Sequence, residues 1–314
     1  MKYLISVFTG AVSYGVLSTI VVLAYRGGFQ LGEIVGAQLL TGFVLSWLLV
    51  FYTKNRELRK NFQQEREPAA STVYTSLTWK QRILLMLAGA PTVVTGLLYY
   101  QSLRYIPASL AIILLFQFTW ISVLIQAIST SRRPGKIMLL ALLVILGGTL
   151  LAAGFIGEDT IHFNRLGVIF GLLAAVSYSL FILFSGKAVP SAHPVYRSAW
   201  MITGGFILLS VLFPPYFLFN GLLWGPLSLF GFLLGLFGAF IPPLLFAIGV
   251  PHIGEGMAGI LGAAELPVAV LLSSLVLHEH VGELRWVGVV LILAGVALPE
   301  LQKQRRQKTD SLTS

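Results

Sequence analysis

One carboxylate interrupts an apolar stretch of the chain, in the sequence GILGAAELPVAVLLSS at positions 259–274. A charge near the middle of a membrane is costly, so Glu265 has to face the interior of a helix bundle or a wet cavity. There it has two chemical uses, because it can take up and release a proton or hold a polar or cationic group of a ligand. The alternative is a protonated glutamate that only makes a packing hydrogen bond.

Other polar side chains lie at similar depths in apolar segments. Gln117 falls one residue before the position that aligns with Glu265 in an internal repeat, and Trp120 follows one turn later. Tyr14 and Tyr178 are related by the repeat, because a shift of 164 residues aligns AVSY at 11–14 with AVSY at 175–178. Both lie too deep for an interfacial aromatic belt. Packing alone remains an alternative for each of them. The candidate substrate-binding or coupling residues are Glu265, Gln117, Trp120, Tyr14, Tyr178, Gln38 and Tyr99.

Signatures of enzymes and metal sites are absent from the sequence. The histidines of HEHVGE (278–283) are two residues apart and do not share a helix face, and HExxH, GxSG-like and GxxxxGK[ST] motifs are missing. The chain also has no cysteine. We therefore expect no enzyme activity, no metal and no cofactor, while a proton as the coupling ion stays open. An intramembrane enzyme that uses Glu265 is the alternative outside transport.

The elements that must position these side chains are membrane helices. Of the 314 residues, 56% are hydrophobic and 11% charged, and the mean hydropathy is +0.86. A globular protein has about a quarter charged residues. Ten apolar runs are long enough to cross a bilayer, which predicts an all-α integral membrane protein. The runs are 4–25, 31–53, 83–103, 107–128, 137–153, 166–185, 196–214, 227–250, 257–276 and 284–298.

The cations predict the orientation of these helices. If the N-terminus is cytoplasmic, the inside segments hold 17 lysines and arginines and the outside segments hold 4. The positive-inside rule then places both termini in the cytoplasm. The net charge of +9 is thus explained by topology, and no nucleic-acid partner is expected. The basic loop 54–82 is predicted to be a cytoplasmic linker, and the chain to lie in the cell (cytoplasmic) membrane.

The chain contains an internal duplication. A shift of 147 residues aligns 97–124 with 244–271 without a gap, at about a quarter identity, where apolar composition alone gives about a tenth. Each copy has five predicted helices, so the second copy enters the membrane the other way up. Two inverted five-helix repeats are predicted, at 1–153 and 166–301, followed by a basic and polar cytoplasmic tail at 302–314.

Glycine and proline interrupt matching helices of the two repeats. Gly96 in the third predicted helix aligns with Pro243 in the eighth, where Pro242 precedes it. Matched interruptions of this kind mark moving parts in transporters built from inverted repeats. Gly96, Pro242 and Pro243 are therefore candidate hinge residues, although glycine and proline are also common in membrane helices in general.

The second half of the chain resembles a known domain. Its series Glu265-x-Pro267, Leu277-x-Glu279 and Trp286-x-Gly288, followed by 291–295, is similar to the EamA domain of the drug/metabolite transporter superfamily. The resemblance covers the chain as two such domains. The first copy departs from the pattern, because FQFTW (116–120) stands where small residues and proline are often found, and 130–133 lacks the usual glutamate.

The resemblance implies a transporter and leaves its substrate open. Members of the family export amino acids, other metabolites or drugs, and relatives carry sugar-nucleotides or sugar-phosphates. We expect a secondary active exporter of a small organic molecule that works by alternating access, with an importer or exchanger as the alternative. A small-molecule substrate and the lipid bilayer are the expected partners, and a homodimer is left open.

Overall fold

A computed structural model describes residues 1–63, 77–106, 108–131, 133–152, 164–219, 221–278 and 282–313, which form only helices and turns. Two short 3₁₀ turns, Tyr216–Leu218 and Leu222–Trp224, precede α10, and a π-helical segment, Gly235–Phe240, joins α10 to α11. The α-helices are α1 Lys2–Gly15, α2 Leu17–Arg26, α3 Leu31–Gln63, α4 Trp79–Ser102, α5 Ala108–Phe116, α6 Phe118–Thr130, α7 Lys136–Ala152, α8 Arg165–Lys187, α9 Pro194–Leu212, α10 Leu227–Leu234, α11 Ile241–Ile253, α12 Glu255–Gly262, α13 Glu265–Val276 and α14 Glu283–Thr313.

Seven helical segments within the described residues are long and apolar enough to cross a membrane. Three shorter apolar helices, Leu114–Thr130, Lys136–Leu151 and Trp286–Pro299, lie where the sequence predicts the fourth, fifth and tenth spans. The chain is therefore an all-helical, multi-pass membrane protein. The seven long segments are Lys2–Arg26, Leu31–Arg56, Trp79–Ser102, Arg165–Lys187, Pro194–Leu212, Leu227–Ile253 and Glu255–Val276.

Helix packing follows the internal duplication. Helix α1 packs on α11, and its repeat-related counterpart is the contact of α8 with α4. The contact of α3 with α10 and the π-helical segment corresponds in the same way to that of α9 with α4. The repeat relates α7 to α14, so it maps the contact of α7 with α14 onto itself. A twofold relation between the halves requires this pattern; the inverted orientation in the membrane stays a prediction.

Several helices are broken near their middle, and the sequence did not predict these positions. Helix α5 gives way to α6 at Gln117, and α12 gives way to α13 at Ala263 and Ala264. Gln117 and Ala264 are equivalent in the 147-residue repeat, so the two breaks correspond. Pro267 has no N–H to donate to the Ala263 carbonyl, and that oxygen instead accepts from the Leu266 N–H at 3.3 Å. A tighter turn thus replaces the α-helical hydrogen bond.

The two predicted hinges differ from each other. Helix α4 runs through Gly96 without interruption and contains Pro91. In the other repeat the π-helical segment ends directly before Ile241, the first residue of α11. Pro242 and Pro243 lie in the first turn of that helix. Only the second repeat therefore has a local change of helical geometry at the aligned position.

Arg197 was counted among the cytoplasmic cations, but it is only 1% exposed within α9. Its guanidinium donates to the carbonyls of Ala188 at 3.0 Å and Ala247 at 2.9 Å, and also to that of Ser185. These carbonyls lie at the end of α8 and within α11. Arg197 therefore joins three helices by satisfying backbone acceptors, as basic side chains do near helix C-termini.

Close contact between α4 and α9 depends on two glycines. A Cβ on Gly89 would overlap the Met201 carbonyl oxygen, and a Cβ on Gly204 would overlap that of Met86. Small residues allow such close backbone approach in membrane bundles. We expect Gly89→Ala to lower the stability of the detergent-solubilised protein by about 1–3 kcal/mol, since the helices must separate.

Thermal unfolding measures this effect, with Gly147→Ala as the matched control. A Cβ on Gly147 meets nothing within 4 Å, and alanine favours helix. The control should therefore unfold at or above the wild-type temperature. Equal melting temperatures for the two variants would contradict the close-contact explanation.

Candidate functional site

A cavity of about 80 Å³ lies between the two halves of the chain. One water molecule needs about 10–15 Å³ measured in this way, so the space holds a small ligand or several waters. Helices α1 to α5 contribute one side of the wall, and α8, the π-helical segment and α13 contribute the other. The lining residues are Tyr14, Leu17, Ser18, Gln38, Thr92, Thr95, Gly96, Tyr99, Tyr100, Ile112, Leu115, Phe116, Tyr178, Phe181, Gly238, Glu265 and Ala269.

Glu265 is the first residue of α13, directly after the break that follows α12. Its carboxyl lies close enough to the Tyr178 hydroxyl to interact with it. Glu265 Oε2 and the Tyr178 oxygen are nevertheless both buried, and neither makes a hydrogen bond of normal geometry to any group that the structure describes. Leaving such groups unsatisfied costs free energy. The arrangement can therefore accept a proton or a ligand donor at Glu265.

The break between α1 and α2 lies against the backbone of Glu265. The junction is at Val16, and a Cβ on the preceding Gly15 would lie against the backbone carbonyl of Glu265. Glycine is needed for this close approach. The start of α13 thus packs against another interrupted helix. This contact fixes the position of Glu265 on the cavity wall.

Aromatic rings form much of the remaining wall. Tyr14 meets Tyr178 edge to face with ring centroids 5.7 Å apart, and Tyr178 stacks on Phe181 at 6.1 Å. Tyr99 and Tyr100 lie 6.0 Å apart on α4. Such pairs are stabilised by the ring quadrupoles. The cavity therefore has a rigid aromatic lining beside a single carboxyl group.

The π-helical segment contributes a polar connection to this wall. The Ser13 hydroxyl donates to the Phe237 carbonyl at 2.7 Å. Nearby, the Tyr100 hydroxyl donates to Gln38 Oε1 at 3.5 Å, a long hydrogen bond. A π-helical turn often marks a functional site, and this one lies between the cavity and the prolines Pro242 and Pro243.

The structure brings together five of the seven sequence-predicted residues, namely Glu265, Tyr14, Tyr178, Gln38 and Tyr99, together with the candidate hinge Gly96. Gln117 and Trp120 lie away from the cavity wall. Trp120 is 38% exposed, and its indole N–H donates to Gln117 Oε1 at 2.8 Å. Neither is among the described lining residues of this cavity, and their contact with a ligand stays a prediction.

Polar contacts join the helices at one end of the molecule. The Gly256 N–H donates to Gln126 Oε1 at 2.8 Å, and Lys187 forms an ion pair with Glu255 at 3.8 Å and donates to Ser129. We call Gln126, Ser129, Lys187, Glu255 and Gly256 the closure layer. It joins α6, α8 and α12. Ten residues separate Glu255 from Glu265, so this layer lies about 15 Å from the carboxyl group along the helix direction.

Comparisons with known proteins find similarity to transporters. Residues 165–299 match the EamA-like transporter family. The uncharacterized inner membrane transporter YicL of Salmonella typhimurium is 27% identical over 230 residues, which cover 72% of this chain and 74% of the relative. The uncharacterized transporter sll1319 of Synechocystis is 25% identical over 210 residues, 66% of this chain and 63% of that one. Over residues 165–299 the chain is therefore similar to EamA-like transporters.

A solved crystal structure shows the same fold. It superposes on this chain with a TM-score of 0.66 at 17% identity, covering 96% of this chain and 98% of that chain. The family match contains Tyr178 and Glu265, whereas Tyr14, Gln38 and Tyr99 come from the first half of the chain. The cavity is therefore lined both by the EamA-like region and by the first half of the chain, which departs further from the EamA pattern.

Sequence reasoning missed several residues of the cavity wall. Tyr100, Thr92 and Thr95 lie on α4 with the predicted Tyr99 and Gly96, and Phe181 follows Tyr178 on α8. Helical spacing from the predicted residues could have found Thr92 and Phe181, since each lies three or four positions from one of them. The predicted absence of a metal at HEHVGE stays a prediction, because 279–281 lie outside the described residues.

Proposed function

We propose that this chain is an EamA-type transporter that works as a secondary active exporter of a small organic molecule, such as an amino acid-like metabolite or a drug, in the cytoplasmic membrane. The observation that supports this is the cavity between the halves, with Glu265 on its wall and interrupted helices beside it. Binding sites between two halves, next to broken helices, are the arrangement that alternating access uses.

Proton coupling at Glu265 is part of the proposal. Driving export against a concentration gradient needs a second solute, and a carboxyl group that changes charge can link a proton to the transport step. The other polar groups on the described cavity wall are hydroxyls and the Gln38 amide, which remain neutral near pH 7. Uptake of one proton would therefore change the charge of the whole cavity.

Alternating access requires the closure layer to separate while the cavity closes at its other side. We propose that this layer seals the cytoplasmic side in the conformation seen here. Glycines on α12 support tight closure, because a Cβ on Gly259 would meet Ser122 and one on Gly262 would meet Phe118. Opening would part α12 from both α6 and α8 along this surface.

A screen tests the proposed function. Cells that lack the protein and cells that overproduce it would be compared for the metabolites they release and the drugs they tolerate. We expect at least one small organic compound to accumulate outside, or to be tolerated, in proportion to the amount of protein. Identical release and tolerance in both strains, with the protein present in the membrane, would contradict export.

Pro242 and Pro243 provide a further prediction. Alanine at both positions restores two backbone N–H donors, which can bond the Gly238 and Ala239 carbonyls and straighten the π-helical segment. We expect the double variant to transport several-fold more slowly, with substrate affinity changed less than turnover.

Initial transport rates and equilibrium binding, measured on the same preparation, separate the two quantities. Pro299→Ala is the control, since Pro299 lies inside α14 away from the cavity. Unchanged turnover in the double variant would show that the prolines only shape a static helix.

A further inference from the structure

The charge on the cavity wall has one sign. Glu265 is the only carboxylate among the described lining residues, and these residues include no lysine, arginine or histidine. The other polar groups are hydroxyls and the Gln38 amide. An anionic ligand would meet a carboxyl group and no cation among the described lining residues. The wall therefore disfavours anions more than neutral or cationic ligands.

We propose that the cavity binds a small organic cation, a protonated amine or a quaternary ammonium with an aromatic or apolar body. This inference rests on the proposed transport function and adds the chemical class of the substrate. It assigns the carboxylate of Glu265 to the cationic group and the aromatic wall to the rest of the molecule.

Unsatisfied polar atoms support this assignment. Glu265 Oε2 and the Tyr178 hydroxyl are buried without a hydrogen bond of normal geometry in the described part of the chain. An ammonium group is a donor without an acceptor, so it satisfies the carboxylate oxygen directly, and charge-assisted hydrogen bonds of this kind are strong. The Tyr178 oxygen can accept a second N–H of the same group. A neutral ligand satisfies at most the hydrogen bonds and leaves the charge unpaired.

The aromatic wall favours the same ligand. Ring faces carry negative potential and attract cations within about 6 Å of the ring centre. Tyr14, Tyr178 and Phe181 form a connected aromatic series beside Glu265, and Tyr99 extends the lining on α4. A quaternary ammonium, which has no N–H to donate, would still be held by these faces and by the carboxylate.

Three probes with one ring and one linker test the inference on the purified full chain. They are 2-phenylethylammonium, 2-phenylethanol and 3-phenylpropanoate, which differ mainly in charge. Calorimetric titration should show the ammonium compound binding at least about tenfold more tightly than the alcohol, and the propanoate most weakly. Glu265→Gln should remove this preference while changing the affinity for the alcohol by less than about threefold. Glu283→Gln, at the exposed start of α14, should leave all three affinities unchanged.

Two results would overturn the inference: propanoate or alcohol binding as tightly as ammonium, or an ammonium preference that survives in Glu265→Gln. If Glu265→Gln does not fold, the order of the three probe affinities on the wild-type chain still tests the inference. Flux measured in proteoliposomes distinguishes failure of the proposed transport function from failure of the cation inference. Selective ammonium binding without flux of any probe or metabolite removes the transport proposal alone, whereas flux without a preference for cations removes this inference alone.

Discussion

Replacing Glu265 with glutamine is expected to reduce gradient-driven transport by at least about tenfold while membrane abundance stays near normal. Glutamine keeps the size of the side chain and can form hydrogen bonds, but it cannot titrate or carry charge. A carboxyl used only for packing would tolerate this change. One used for coupling, or for holding a cationic substrate, would not.

Transport of a substrate found by the export screen measures this effect, with protein abundance determined on the same membranes. Glu283→Gln is the matched control, since it makes the same substitution at an exposed helix start. Wild-type export in the Glu265 variant would assign the carboxyl to packing. Loss of export together with loss of protein would instead indicate a folding role.

Linking the closure layer covalently is expected to stop transport. Lys187 on α8 and Glu255 on α12 are in contact at 3.8 Å, and the chain contains no cysteine. Cysteines introduced at both positions can therefore be joined by a short, cleavable thiol-reactive linker. Because α8 and α12 must separate to open this end, we expect the linked fraction to lose about nine tenths of its transport.

The rate of the same double variant before linking is the reference, and cleavage of the linker should restore it. Each single cysteine treated with the reagent controls for simple modification. A linked protein that transports at the reference rate would show that this layer does not open during the cycle.

The membrane helices were predictable because they depend on a pattern longer than a single turn. Apolar runs of the required length are visible without tertiary information. The repeat also relates Tyr14 to Tyr178, and both line the cavity. Glu265 was identified because a carboxyl in an apolar run needs a specific environment and because Glu265-x-Pro267 resembles part of the EamA pattern.

The helix breaks were not predictable from local residue types. Nothing in the sequence FQFTW interrupts a helix by itself, yet α5 ends at Phe116 and α6 begins at Phe118. Gln117 and Trp120 lie at and just after this break, form a hydrogen bond with each other, and are not among the described residues that line the cavity. Tertiary packing decides such local geometry, and the closure layer, which joins residues far apart in sequence, is invisible for the same reason.

Proteoliposome transport across pH 5 to 8 tests most directly the claim that Glu265 is the titrating group of the transport cycle. The other titratable groups on the cavity wall are Tyr14, Tyr99, Tyr100 and Tyr178; tyrosines ordinarily titrate near pH 10. The account predicts that the wild-type rate changes across this range and that the residual rate of Glu265→Gln does not. A glutamine variant that transports at the wild-type rate, with the wild-type pH dependence, would contradict it.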